Sequence, residues 1–161
     1  MSYNAVADKS FKFAIRIVNL HKYLRNAKNE FIMSKQLIRS GTSIGANIAE
    51  AEKAQTTADF YTKLTIALKE ANETHYWLRL LHATEYLSED EFKSIEIEAL
   101  ELIALLVSIT KSLKDHDETK DETFNPKVKK ILVCSRSKWF NIIIFAYHTC
   151  FPLRINEMVD S

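Results

Sequence analysis

The chain is 161 residues long and 47% hydrophobic, with two glycines, two prolines, two cysteines and a net charge of +1. That length and apolar content suit one packed domain. The scarcity of turn residues beside abundant Leu, Ile, Ala, Glu and Lys excludes a turn-rich β architecture and predicts long helices. Cys134 and Cys150 stand in no metal-ligand spacing and make no disulfide framework, as expected of a reduced, cytoplasmic protein.

The opening "MSYNAVADKSFKF" lacks the apolar run of a signal peptide. The first predicted helix runs from about Asp8 to Asn26. With successive residues turned by about 100°, Phe11, Phe13, Ala14, Ile15, Ile17, Val18, Leu20 and Leu24 fill more than half its circumference. A helix packed on one layer needs far less, so this one is expected at the centre of a bundle or at a subunit contact. Lys9, Lys12, Arg16, Asn19, Tyr23 and Asn26 form the remaining stripe. His21, at the edge of the apolar face, reads as a packed histidine hydrogen-bonded to a neighbour.

The second helix is predicted from about Phe31 to Ala54, and its "RSGTSIGANIAEA" holds both glycines of the chain, Gly41 and Gly45. Met33, Leu37, Ile44, Ile48 and Ala51 form its apolar stripe, and Ser34, Ile38, Gly41, Gly45 and Ala49 run beside it. Each glycine in a helix interior costs about 1 kcal/mol relative to alanine. A row of small residues removes the bulk that holds helix axes about 8–10 Å apart, so close packing on this row is expected to offset the cost. The alternative is that Gly41 ends one helix and another starts near Thr42 or Ser43. The unbroken phase of the apolar stripe argues against it.

"TTAD" predicts a third helix capped by Thr56, with Asp59 three residues on, ending near Tyr86. "SEDE" is a capping box, Ser88 to Glu91, opening a fourth helix that runs to about Leu113. Four long helices with short connections predict an all-α fold, an antiparallel up-and-down four-helix bundle over residues 1–114. Residues 115–126 read as a charged linker. Residues 127–161 read as a C-terminal extension, either laid on the bundle as a helix or strand pair or without fixed order. Its apolar run "WFNIIIFAYHTCFPL" is shorter than the roughly 20 residues that span a bilayer, so no membrane role is expected.

Catalytic chemistry finds no foothold. A di-metal bundle needs Glu-x-x-His pairs on two helices, and the sequence has none; "HATE" (His82, Glu85) runs in the reverse order. Neither a metal, a cofactor nor a catalytic residue is expected. Charge is more informative. Residues 1–55 hold nine Lys/Arg against four Asp/Glu, and residues 56–114 hold six against ten. Ordinary solvated faces would explain this, and so would a polyanion surface or contacts between complementary subunits. Lys9, Lys12, Arg16, Lys22 and Arg25 are the candidate nucleic-acid contacts, because such arrays neutralise phosphates without reading sequence. Tyr23 lies among them as a candidate stacking ring.

"FAIRIVNLHKYL", "RSGTSIGANIAEA" and "ALKEANETHYWL", followed by an acidic fourth helix, resemble the bacterial four-helix bundle proteins of the 23S rRNA intervening-sequence (S23) type over about residues 8–114. The resemblance implies a ring-like homo-oligomer, most often a pentamer. It also implies a basic surface for RNA or DNA and, by distant analogy, a reverse transcriptase as partner. It carries over no catalytic residues. It makes Gly41 and Gly45 helix-packing residues and Arg39, Ser43, Asn47 and Glu50 the polar edge of the same motif, at a subunit contact. The expected function is a non-enzymatic oligomeric bundle binding nucleic acid through its first helix. The alternative is a protein-interaction scaffold, the same ring with Lys9, Lys12 and Arg16 buried against acidic residues of the next subunit or of another partner.

Overall fold

A computed structural model describes residues 3–117, with side chains described over 5–114. The charged linker beyond that point, the C-terminal extension with its apolar run, and both cysteines lie outside the described residues. Four helices make up the fold: α1 (Tyr3–Lys28), α2 (Met33–Ala51), α3 (Thr57–Ala83) and α4 (Glu89–Asp117). Each packs on the next, and α4 returns to α1. The cross-helix ion pairs run in opposite directions along their partners: Lys9 to Glu101 and Arg16 to Glu98, Arg39 to Glu73 and Glu50 to Lys63. The fold is therefore the antiparallel up-and-down four-helix bundle the apolar periodicity predicts.

The apolar stripes meet in one core. Phe13, Ile17, Leu24, Leu37, Ile44, Ile48, Leu64, Leu78, Leu81 and Leu106 are sealed from solvent. Burial also explains why the first helix exceeds its predicted bounds. Val6 is buried against the core, so α1 starts near Tyr3 and not at Asp8. α2 is shorter at both ends than the predicted 31–54.

The helix ends follow local chemistry. The Thr56 hydroxyl accepts from the Asp59 amide at 3.1 Å and starts α3. The Ser88 capping box forms in both directions: the Ser88 amide donates to Glu91 Oε2 at 2.9 Å, and the Glu91 amide donates to Ser88 Oγ at 3.3 Å. With no glycine to spare, α1 and α3 end on Asn29 (φ 52°) and Glu85 (φ 62°) in the left-handed region. After Glu85, the Tyr86 amide closes on the Leu81 carbonyl at 2.9 Å, the 6→1 bond of a Schellman ending.

α2 opens differently. The sequence offers no Ser, Thr, Asp or Asn at its start, and Ile32 precedes the first turn without a side-chain cap. Glu30 takes that role from two residues further back. Its carboxylate accepts from the amides of Ile32 (2.9 Å), Met33 (2.8 Å) and Ser34 (2.6 Å). Burial pushes this carboxyl up, but the three amides and the Ser34 hydroxyl outweigh it and hold it below the usual carboxylate range. The negative charge also sits at the positive end of the α2 dipole.

The helix continues unbroken through both glycines, neither of which has a positive φ, so Gly41 ends nothing. The two differ in why they are glycine. A Cβ on Gly41 would lie 2.7 Å from Ile17 Cγ2 and 2.9 Å from its Cγ1. Ile17 is fully buried and stiff at its branch point, so it has nowhere to move. A Cβ on Gly45 would meet the Ser10 carbonyl oxygen and hydroxyl at 3.7 Å, ordinary van der Waals contact. The close approach expected of the whole row is thus concentrated at Gly41, and Gly45 has room for a methyl group.

Candidate nucleic-acid interface

The five candidate basic residues on α1, which also ends on Lys28, divide into two groups. Lys9 and Arg16 turn toward α4 and are engaged within the chain. Lys9 Nζ lies 2.6 Å from Glu101 Oε1. Arg16 reaches Glu98 at 2.5 Å, and its two terminal nitrogens donate to the Ser94 carbonyl (3.0 Å) and hydroxyl (2.9 Å). The acidic partners stand more than eighty positions away, and α4 presents them at one-turn spacing on the side facing α1. No local pattern in the sequence announces this pairing.

Lys12, Lys22 and Arg25 are exposed and form no ion pair among the described residues. Lys12 faces outward between Lys9 and Arg16. Lys22 and Arg25 lie in the last two turns of α1, next to the connection into α2. Arg25 sits with its guanidinium carbon 5.7 Å from the centre of the Phe31 ring, and Lys28 Nζ is 5.8 Å from the centre of the Tyr23 ring. Across from Tyr23, the Glu91 carboxyl lies below its usual range mainly because the Ser88 amide and hydroxyl donate to it. Glu91 also lies close enough to Lys28 for their charges to interact. Phe31 is 54% exposed and Ile32 79% exposed, and Lys35 adds an exposed cation on the first turn of α2. Sequence reasoning placed Tyr23 and Lys28 here but gave Phe31 and Ile32 no part, because the connecting segment has no periodicity to set inside from outside.

Two polar residues of the glycine motif face the other way, toward α3: Arg39 pairs with Glu73 and Glu50 with Lys63, each at 2.5 Å. The Asn47 amide instead donates to the Ser43 carbonyl at 2.9 Å within α2. The Glu50 carboxylate raises the Lys63 pKa through its hydrogen bond and its charge. Deeper in the same seam, the Thr74 hydroxyl donates to Ser40 Oγ at 3.0 Å between two residues with no solvent access. Arg39 and Glu50 therefore help fasten α2 to α3 within one chain.

His21 Nδ1–H donates to the Ser34 carbonyl at 3.0 Å and ties α1 to α2, the packed role its position predicts. His75 and His82 pair with Glu96 and Glu89 on α4, each at 2.9 Å. Among the described residues no group of three or more His, Cys, Asp or Glu could hold a metal ion. Among them, too, no helix is long and apolar enough to cross a membrane.

The observation that decides the family is a match over residues 3–108 to the family model described as 23S rRNA-intervening sequence protein. The chain belongs to that family. A crystal structure of a protein of unknown function from the S23 ribosomal protein family of Bacteroides thetaiotaomicron VPI-5482 is 60% identical to it, with a TM-score of 0.68. The similarity covers 69% of this chain and 99% of the Bacteroides chain. No curated protein matches the chain significantly. The intervening-sequence match takes in all of α1 to α3 and most of α4, so the bundle is the part shared with the family.

Proposed function

We propose that this intervening-sequence protein is a non-enzymatic, cytoplasmic helical bundle that self-associates and binds RNA or DNA through the exposed cations of α1. The observation that carries the reading is the division of the α1 cations. Lys12, Lys22 and Arg25 have no acidic partner among the described residues and remain available to phosphate, while Lys9 and Arg16 serve the bundle itself. Five contacts become three, and the centre of the surface shifts toward the end of α1. Self-association is supported by the outer faces of α1 and α4, where Phe11 (68%) and Ile97 (67%) stand open to solvent beside the half-exposed Ile15. A ring of five is what the family likeness adds.

The test is anisotropy of a labelled structured RNA titrated with protein at several salt concentrations. Binding should weaken steeply with salt, and the slope should fall by about two to three units when Lys12, Lys22 and Arg25 become Ala. Absence of binding at low salt would exclude the reading. It would leave the interaction scaffold.

A further inference from the structure

The end of α1 and its connection to α2 concentrate features that the charge argument alone does not use. Within residues 22–35 stand two aromatic rings, Tyr23 and Phe31, a bare Ile32, and four cations, Lys22, Arg25, Lys28 and Lys35. None of the four has an ion-pair partner among the described residues. The acids nearby are committed: Glu30 is buried and saturated by the amides of α2, and Glu91 is held by the Ser88 capping box. Each ring already carries a cation, Arg25 on Phe31 and Lys28 on Tyr23.

We infer that this corner binds an unpaired stretch of RNA, with Phe31 and Tyr23 as stacking platforms and the surrounding cations on its phosphates. The inference rests on the nucleic-acid reading above and names its substrate form. A duplex buries the faces of its bases and offers a protein only phosphates and groove edges. Exposed rings flanked by cations gain from a nucleic acid only when its bases are free to leave the stack. Surfaces that contact duplex backbones have no need of Phe31 at 54% exposure or Ile32 at 79%. The hydrogen bonds that fix the corner also favour a preformed site. Asn29 turns the chain in the left-handed region, the Glu30 amide closes on the Leu24 carbonyl at 3.0 Å, and Glu30 pins the first turn of α2. Phe31 and Ile32 are therefore displayed by a fastened connection, and little ordering cost accompanies binding.

The experiment uses one labelled 12-nucleotide oligouridine, alone and annealed to oligoadenosine, titrated with the full chain and with Phe31→Ala, Tyr23→Ala and Ile32→Ala. Both rings and Ile32 are at the surface, so circular dichroism is expected to show unchanged folding, and sedimentation to show unchanged assembly. The single strand should bind more tightly than the duplex. Phe31→Ala should weaken the single strand about five- to a hundredfold, the range of one lost base stack, and leave the duplex within about twofold. Tyr23→Ala should act in the same direction with a smaller effect, since its ring is only 37% exposed. Equal binding of both forms, unmoved by the ring variants, would overturn this inference and leave the charge-based reading standing. No binding of either form at low salt would remove both. A change in sedimentation without a change in RNA binding on Phe31→Ala or Ile32→Ala would make the corner a protein contact, and would overturn it equally.

Discussion

α1 is flanked by two helices, and the two seams are built by different means. Toward α2, the contact is steric and internal: Gly41 admits the buried Ile17, and His21 reaches the Ser34 carbonyl. Toward α4, the contact is shorter and relies on half-exposed charges, Lys9 with Glu101 and Arg16 with Glu98 and Ser94. Packing of the first kind is insensitive to salt and intolerant of added atoms. Ion pairing of the second kind is screened, weak per pair and forgiving. The α1–α4 seam joins the most distant elements of the bundle in sequence, so the bundle is closed by its weaker contact. The same charges that close it are thereby withdrawn from any external anion.

The largest way to break this comparison is Gly41→Ala. One methyl group driven into Ile17 should cost about 1–3 kcal/mol in urea unfolding, despite alanine's better helix propensity. A more stable variant would mean the seam is looser than its geometry. Next is Glu30→Gln, which keeps the shape but loses the charge facing three amides; a loss of about 1–2 kcal/mol at pH 7 is expected. Because the folded carboxyl lies below its ordinary value of 4.5, its contribution is present above that pH and disappears as pH falls through the folded value. Wild type and variant should therefore converge in stability at low pH, and a constant gap would remove the charge from the explanation.

Gly45→Ala sharpens the contrast within a single motif. Its methyl would find ordinary contact with Ser10, so the variant should gain about 1 kcal/mol from helix propensity, and a destabilised variant would show that α1 and α2 lie closer than described. Smallest are Lys9→Ala and Arg16→Ala, each expected to cost no more than about 1 kcal/mol, with the loss shrinking in high salt. A salt-independent loss would mark these residues as packing through their stems.

Much of this architecture is legible in the sequence for a physical reason. Leu37, Ile44 and Ile48 recur at helical spacing because one face must be dry, and Ser88 with Glu91 satisfies amides that lie next to them in the chain. What the sequence hides is whatever depends on the partner across a seam. Gly41 and Gly45 look alike in one row, and only the position of Ile17 opposite the first separates them. Lys9, Lys12 and Arg16 read as one stripe, and only the register of α4 removes two of them. Glu30 escapes notice because it caps from outside the apolar run, and Phe31 and Ile32 because a four-residue connection, 29–32, carries no period.

The central claim is that the α1 cations divide by role, and one pair of titrations tests it most directly. A labelled structured RNA is titrated over a range of salt with Lys22→Ala/Arg25→Ala and, separately, with Lys9→Ala/Arg16→Ala. The account predicts that the first double variant loses about one to two units of salt slope and that the second keeps the wild-type slope while losing some stability. Equal losses of slope in both, or a loss confined to the Lys9 and Arg16 variant, would contradict it.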